Sequence, residues 1–309
     1  MMSQIPQIPQ IPQTPHALYK FLKQALEQCA QDQAAFEARL ILEQRAGLSW
    51  AALMAAGGDA DDNDRSGSRA DAFDPAVLKQ IQTDLNARLA GKPLSRIYGE
   101  REFYGLDFHV NEHVLDPRPD TERIVDLARE RFPSSDTPLR ILDLGTGSGC
   151  LLVTLLHLFP QAQGLGVDIS PEALQTAQGN AARNGVDDRA IWRQSDWFDA
   201  LEDQERYDLI VGNPPYIRSD VIPDLAPEVK NHDPILALDG GNDGMDAYKK
   251  IFFSLFSHLK PSGIALFEIG FDQSEDVMRL GRESRFMNLR IHPDLAGLAR
   301  VVEIAHGDK

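Results

Sequence analysis

The sequence predicts an α/β protein in which a small N-terminal helical domain precedes a mostly parallel sheet covered by helices on both faces. Apolar residues recur at helical spacing over residues 14–90. From residue 121 onward, strand-like apolar runs alternate with helical segments, a pattern that favours a parallel sheet. With 309 residues, the chain is long enough for one large domain and a smaller one.

The first segment is predicted to be a tail that leads into a capped helix. Gln-Ile-Pro repeats fill residues 4–13, and such proline punctuation favours a flexible extended tail over residues 1–13. Thr14 and Pro15 then form an N-cap followed by proline at the first helical position. We therefore expect the helical domain to begin at residue 14.

Three further helical segments complete the predicted helical domain. They lie around residues 36–41, from Ser49-Trp50, and from Asp74-Pro75 to about residue 90. Residues 57–72 are rich in Gly, Asp and Ser, which predicts a mobile loop. The apolar stripes of these helices are typical of a packed core rather than of cofactor contacts.

A hairpin linker is predicted over residues 91–120, and the larger domain follows over residues 121–309. Aromatic and β-branched residues flank Tyr104-Gly105, as in a hairpin. Strands are predicted at 139–144, 164–168, 190–194, 207–212 and 264–269, and helices at 149–158, 171–183, 246–259 and 272–283. Two closely spaced last strands, near 288–292 and 299–305, are expected to be antiparallel.

Composition narrows the possible partners and the compartment. There are 31 Lys and Arg against 47 Asp and Glu, a net charge of −16, which disfavours binding to a phosphate backbone. Cys29 and Cys150 are far apart and form no disulfide framework, which fits a reducing cytoplasm. The sequence contains neither a membrane-length apolar run nor a secretory signal pattern, so we expect no membrane partner.

A glycine-rich turn follows the first predicted strand of the larger domain. This glycine turn consists of Gly145, Thr146, Gly147, Ser148 and Gly149, and a helix comes directly after it. Glycines let a ligand lie close to backbone N–H groups at a helix N-terminus. The sequence therefore predicts a cofactor site at this turn.

Acidic and aromatic residues after the next strands extend this predicted cofactor site. Asp168 ends the strand after the turn, where a carboxylate can accept hydrogen bonds from ribose hydroxyls. After the third strand, Asp196 can accept from an adenine amino group and Trp197 can cover the ring, although a packed core aromatic is the alternative for Trp197. Asp143 is expected to orient the turn or to contact an ammonium group of the cofactor.

A dinucleotide cofactor and a metal site are both disfavoured. The dinucleotide fingerprint requires Gly or Ala where this chain has Cys150. His109 and His113 are four residues apart, but they lie on hairpin-like sequence without a third ligand, so we expect no metal.

The tetrapeptide Asn213-Pro214-Pro215-Tyr216 follows the apolar run 209–211 and is the most informative motif. Because both prolines have fixed φ and no N–H, carbonyl groups beside them can be held towards a ligand. The Asn213 side-chain oxygen and the Pro214 carbonyl together offer two acceptors to a planar NH₂ group, and Tyr216 offers an aromatic wall. The competing interpretation is a proline-rich turn that only caps a strand.

With these motifs in this order, the chain resembles the release factor glutamine methyltransferases of the HemK type. The resemblance extends from about residue 92 to residue 302 and includes residues 101–108, 117–122, 227–229 and 237–241. It implies a Rossmann-like class I S-adenosylmethionine-dependent methyltransferase domain. It also implies that helical residues 14–90 recognise the substrate.

The resemblance further implies the reaction, the cofactor and the site. S-adenosyl-L-methionine would be bound by Gly145, Thr146, Gly147, Ser148, Gly149, Asp168, Asp196, Trp197 and Asn213. The substrates would be peptide-chain release factors 1 and 2, methylated on the N5 nitrogen of the glutamine in their Gly-Gly-Gln motif. Asn213, Pro214, Pro215 and Tyr216 would bind this glutamine, with Asn213, Pro214 and Tyr216 as the catalytic groups.

Two other substrates stay open at this stage. An amino-methyltransferase of nucleic-acid bases would use the same tetrapeptide on a flipped base, but it would need a basic groove. A ribosomal-protein glutamine is the second alternative, although the enzymes of that branch differ in the stretch that corresponds to residues 117–122. A non-catalytic binding module would be expected to lack Gly145, Asp168 or Asn213, and all three are present.

Overall fold

The structure is a computed structural model that describes residues 11–55, 73–284, 286 and 288–306. It divides into two compact units, and the boundary between them in the sequence lies between Tyr98 and Gly99. Residues 1–10 of the predicted tail and the predicted loop 57–72 lie outside the described residues.

The first unit is helical in its described part. Its helices are α1 (Pro15–Leu26), α2 (Ala34–Ala46), α3 (Trp50–Ala55), α4 (Pro75–Leu89) and α5 (Leu94–Tyr98). Pro15 takes the first helical position of α1, and the Asp74 carboxylate caps α4 by accepting from the Ala76 N–H at 2.8 Å. Leucines and isoleucines from α1, α2 and α4 are buried together, which stabilises the unit by removing apolar area from water.

Helix α5 was not predicted. Residues 97 and 98 were assigned to the hairpin, but the Pro93 carbonyl accepts from the N–H groups of Arg96 and Ile97, which closes a helical turn. The hairpin follows as antiparallel strands β1 (Glu100–Phe103) and β2 (Leu106–His109). Tyr104 and Gly105 both have positive φ, as the two-residue turns of tight hairpins require.

The second unit contains a seven-stranded mixed sheet with helices on both faces. Its further elements are α6 (Glu122–Arg131), β3 (Arg140–Leu144), α7 (Cys150–Leu158), β4 (Gln163–Asp168), α8 (Pro171–Arg183), β5 (Ala190–Gln194), β6 (Tyr207–Gly212), α9 (Pro227–Lys230), α10 (Asp246–His258), β7 (Leu259–Glu268), α11 (Ser274–Glu283), β8 (Asn288–Pro293) and β9 (Ala299–Ala305). The predicted α/β class with a mostly parallel sheet is confirmed.

The strand order is β5-β4-β3-β6-β7-β9-β8, and β9 is antiparallel to both of its neighbours. The chain builds β3, β4 and β5 outward in one direction and then returns to place β6 on the other side of β3. This reversal is the topological switch point at which open α/β sheets bind ligands. Because Leu144 pairs with Gly212, the glycine turn and the tetrapeptide leave the sheet side by side.

Most predicted strand and helix bounds agree with the structure to within two residues, and β7 is the exception. It begins at Leu259 instead of residue 264, because Leu259 already pairs with Tyr207. The register then shifts before Leu209 pairs with Ile264. Pro261 and Gly263 lie in this irregular stretch. Because proline and glycine are unfavourable within strands, the sequence does not predict a strand there.

The core of the second unit lies on both faces of the sheet. Successive strand residues point to opposite faces, so Ile141 packs in one apolar cluster and Leu142 in the other. Both clusters consist of residues buried to 8% exposure or less. Across the described residues, no helix combines the length and the apolarity that a bilayer crossing needs.

Candidate active site

A cavity of about 490 Å³ opens at the carboxyl ends of β3, β4 and β6, beside the switch point. Its lining brings together nine of the predicted site residues, namely Gly145, Thr146, Gly147, Ser148, Asp168, Asp196, Trp197, Asn213 and Pro215. Further walls come from Asp143, from residues 112–115, 117 and 118 with Thr121, and from Ala247 and Lys250 of α10. One concave site therefore contains the predicted cofactor motifs and part of the tetrapeptide.

Three predicted site residues lie outside the described lining of this cavity: Gly149, Pro214 and Tyr216. Gly149 has φ +79° and caps α7, and a Cβ there would lie 3.0 Å from the Ala177 Cβ. Pro214 is buried, and the Tyr216 hydroxyl donates to Glu268. These three residues adjoin lining residues in the sequence but do not themselves line the cavity.

The glycine turn is held by the strand next to it. Gly145 and Gly147 have φ of +68° and +55°, a backbone conformation that L side chains rarely adopt. The Thr146 N–H donates to the Val167 carbonyl, and the Gly147 N–H donates to Asp168 Oδ2, both at 2.9 Å. The turn is therefore fixed before any ligand binds.

Asp168 is positioned to serve both the turn and a ligand. Its Oδ1 accepts from the Ser170 N–H at 2.9 Å, and its Oδ2 accepts from Gly147. Each carboxylate oxygen has a second lone pair, so both oxygens retain acceptor capacity at the cavity wall. Burial raises the pKa of Asp168, and the backbone donors oppose that rise. Such a carboxylate can accept from two adjacent ribose hydroxyls.

Asp143 carries an unmatched acceptor at the cavity. The Thr146 hydroxyl donates to its Oδ2 at 2.5 Å, whereas its buried Oδ1 has no hydrogen-bond partner among the described residues. Burial raises the pKa of Asp143 to about 7. A buried acceptor without a donor is costly, and a bound ammonium group would satisfy it. Both predicted roles, orienting the turn and contacting an ammonium, are compatible with this geometry.

Trp197 lies over the glycine turn. A Cβ on Gly145 would be 3.4 Å from Trp197 Cζ3, so the ring fills the space that a side chain at residue 145 would need. Trp197 itself has φ +55°, a strained conformation for a bulky residue, and such strain concentrates at functional sites. Its ring is therefore part of the cavity wall as well as of the surrounding apolar packing.

Asp196 has a partner that the sequence did not reveal. Its Oδ2 accepts from Lys250 Nζ at 2.6 Å, and both residues line the cavity. The ion pair uses Oδ2 and leaves Asp196 Oδ1 as an acceptor at the cavity. Lys250 lies on α10, 54 residues away, and no local pattern connects the two residues.

The tetrapeptide is tied to a buried glutamate at the end of β7. Asn213 Nδ2 donates to the Thr121 hydroxyl at 3.2 Å, and Thr121 donates to Glu268 Oε2 at 2.5 Å. The Tyr216 hydroxyl donates to Glu268 Oε1 at 3.2 Å, and Gln273 Nε2 donates to the Tyr216 carbonyl at 3.0 Å. Sequence reasoning missed Glu268, although a charged residue that ends an apolar strand at the ligand edge is a usable signal.

The acceptors of the tetrapeptide are left available by these contacts. Within the described chain, no group donates to Asn213 Oδ1 or to the Pro214 carbonyl. An NH₂ group has two hydrogens to donate, and these oxygens can accept both. The described residues contain no group of three or more His, Cys, Asp or Glu that could hold a metal.

A family model and two relatives of the same name match this chain. Residues 135–268 match the model of a methyltransferase domain. The release factor glutamine methyltransferase of Bradyrhizobium diazoefficiens is 40% identical over 90% of this chain and 90% of its own length. The enzyme of the same name from Agrobacterium fabrum is 45% identical over 72% of this chain and 78% of its own length.

Solved structures agree with the fold. The human hMettl16 catalytic domain, solved with an RNA hairpin, has a TM-score of 0.56 and 15% identity over 73% of this chain and 83% of that one. A Pyrococcus furiosus methyltransferase has a TM-score of 0.50 and 15% identity over 74% of this chain and 100% of that one. At such identities the likeness establishes the sheet architecture alone.

Proposed function

The chain belongs to the release factor glutamine methyltransferase family, and we propose that it methylates the glutamine of the Gly-Gly-Gln motif in peptide-chain release factors 1 and 2. The acceptor atom is the N5 amide nitrogen. The methyl donor of this enzyme is S-adenosyl-L-methionine. The observation that carries the proposal is Asn213 Oδ1, which lies at the cavity beside the glycine turn and accepts no hydrogen bond from the described residues. The carbonyl of the next residue, Pro214, is the proposed second acceptor.

The cavity residues fit the three parts of the donor. Asp143 Oδ1, which has no hydrogen-bond partner in the described part of the chain, suits the ammonium of its amino-acid end, beside the N–H groups of the glycine turn. Asp168 suits the two ribose hydroxyls, and Asp196 with Trp197 suits the adenine. Bound S-adenosylmethionine supplies an electrophilic methyl group on its sulfonium.

The tetrapeptide compensates for a weak nucleophile. An amide nitrogen reacts poorly because its lone pair is delocalised into the carbonyl. Asn213 Oδ1 and the Pro214 carbonyl, by accepting from both N–H bonds, favour positive charge on nitrogen as it attacks. Holding the nitrogen in line with the methyl group can lower the barrier by ~7–11 kcal/mol. The chain needs no base before transfer, because the methylated nitrogen is far more acidic and releases its proton afterwards.

The remaining parts of the chain have proposed roles in substrate recognition. Residues 14–90 contact the folded release factor, and residues 91–120 connect them to the catalytic residues 121–309. The reaction takes place in the cytoplasm, where release factors act. The net charge of −16 supports a protein substrate over a nucleic acid.

Mass spectrometry of intact substrates tests the proposal. Purified release factors are incubated with the full chain and the donor, digested, and sequenced through the Gly-Gly-Gln peptide. We expect one added methyl group on that glutamine and none on a release factor whose glutamine is replaced by alanine. Methyl transfer to ribosomal RNA, to DNA or to a ribosomal-protein glutamine, without transfer to release factor, would overturn the proposal.

A further inference from the structure

We propose that Glu268 is a positioning residue that acts through the Thr121 hydroxyl to fix which end of the Asn213 amide faces the substrate. This inference rests on the proposed function, because it concerns the acceptor that Asn213 offers to the glutamine. Glu268 is 1% exposed and is not among the residues that line the cavity. It therefore reaches the substrate only through other groups.

A terminal amide can face the cavity in two ways. With Nδ2 turned inward to the protein, Asn213 presents its oxygen to the cavity as an acceptor. The opposite orientation would present an NH₂ group, which cannot accept from the glutamine N–H bonds. The two orientations have almost the same shape, so packing cannot choose between them, and a hydrogen-bonding neighbour must do so.

That neighbour is Thr121, which is 2% exposed and lies 3.2 Å from Asn213 Nδ2. A threonine hydroxyl has one proton to donate. If this proton pointed at Asn213, the amide would turn its oxygen to Thr121 and its NH₂ to the cavity. Thr121 Oγ1 lies 2.5 Å from Glu268 Oε2, and because an ionised carboxylate can only accept, the hydroxyl donates its proton there and is left as an acceptor for Asn213 Nδ2.

Glu268 enforces this direction because an ionised carboxylate can only accept. Its other oxygen accepts from the Tyr216 hydroxyl at 3.2 Å, so two hydroxyl donors converge on it. Burial raises the pKa of Glu268, whereas the Thr121 hydroxyl, the Arg300 charge and the Tyr216 hydroxyl lower it. One buried carboxylate thus orients the Asn213 amide and restrains the Tyr216 ring.

Two substitutions remove this control without a large change in volume. Glu268→Gln replaces an obligatory acceptor with a side chain that can donate to Thr121, which frees the Thr121 proton for Asn213. Thr121→Val removes the hydroxyl, whereas Thr121→Ser retains it. Thr154→Val is the matched control, because Thr154 is buried in α7 and its hydroxyl has no partner among the described residues.

Steady-state kinetics on release factor, with donor affinity measured by calorimetry, form the first test. We expect Glu268→Gln and Thr121→Val to lower kcat by about 10²-fold, as for the loss of one oriented transition-state group, with donor affinity unchanged. Thr121→Ser should restore most of the turnover, and Thr154→Val should leave it unchanged. In an Asn213→Ala background, Glu268→Gln should lower kcat much less than it does in the wild type, because the amide that it orients is already absent.

Neutron diffraction on deuterated crystals tests the same inference without any substrate. We expect the Thr121 deuteron between Oγ1 and Glu268, and deuterons on the Asn213 atom nearest Thr121. A deuteron directed from Thr121 to Asn213 would overturn the inference, as would wild-type kcat in both Glu268→Gln and Thr121→Val. If instead the expected deuterons are seen but release factor is never methylated, the proposed function fails and the positioning role stands.

Discussion

The Thr146 hydroxyl donates to Asp143 Oδ2 at 2.5 Å, while Asp143 Oδ1 has no hydrogen-bond partner among the described residues. This half-satisfied carboxylate lies one residue before the end of β3 at the cavity, where burial raises its pKa to about 7. In the ligand-free protein, the buried acceptor Asp143 Oδ1 lowers the stability of the folded state. A cationic ligand group that donates to it would offset this loss.

Donor affinity should rise with pH through the titration of Asp143. Above its pKa near 7, Asp143 is ionised and attracts an ammonium, whereas the protonated form does not. Calorimetry should show tighter binding at about pH 7 than at about pH 5.5, because an α-amino group with a pKa of about 7.7–8.0 keeps most of its proton over this range. Asp143→Asn should bind more weakly and with a flat profile. An equally steep profile in that variant would exclude Asp143 as the group responsible.

The same carboxylate should limit the stability of the donor-free protein at neutral and higher pH. Its folded pKa is raised from 3.8 to about 7, so the folded state binds the proton more tightly and stability falls as pH rises between these values. Asp143→Asn should therefore raise the free energy of unfolding at pH 8, by up to about 4 kcal/mol for a shift of about three pKa units. Urea denaturation at pH 8 measures it. A less stable variant would contradict the expectation.

Asp168→Ala should weaken donor binding with little effect on the apolar core. The substitution removes the carboxylate, so the ribose hydroxyls lose their proposed acceptor. A hydrogen bond to a charged group contributes ~1.5–3 kcal/mol. The Gly147 and Ser170 N–H groups also lose their acceptor, which loosens the glycine turn. Calorimetry should show at least a tenfold loss of affinity. Asp203→Ala, at an exposed position outside the cavity, is the control and should bind normally.

The parts of the site that could be predicted are those that topology places. Because strands and helices alternate, the carboxyl ends of the parallel strands lie at one edge of the sheet, and the sequence predicts that the glycine turn, Asp168 and Asn213 meet there. Residues 145–148 of the turn, Asp168 and Asn213 all line the cavity. The partners of these residues could not be predicted in the same way. Thr121 and Glu268 are 147 residues apart, and their hydrogen bond depends on how α6 and β7 pack.

Deleting the helical unit should separate substrate recognition from donor binding. A fragment that begins at Gly99 retains the hairpin and both apolar clusters of the second unit. We expect it to bind S-adenosylmethionine like the full chain and to lose methylation of intact release factor. Circular dichroism and thermal unfolding verify that the fragment is folded. If the folded fragment methylated release factor as fast as the full chain, residues 14–90 would not be needed for substrate recognition.

Asn213 should affect turnover far more than donor affinity. Its Oδ1 is the side-chain acceptor that the structure leaves free at the cavity, and a hydrogen bond to the glutamine nitrogen strengthens as positive charge develops there. Asn213→Ala removes the acceptor and should lower the single-turnover rate at saturating donor on the order of 10²-fold or more.

Asn213→Asp keeps an acceptor but cannot donate to Thr121 when it is ionised, so its carboxylate would face a hydroxyl already committed to Glu268. We expect an impaired rate for this variant too, with donor affinity measured by calorimetry in both. Rates near those of the wild type for Asn213→Ala would show that the tetrapeptide only ends β6 and that another group orients the nitrogen.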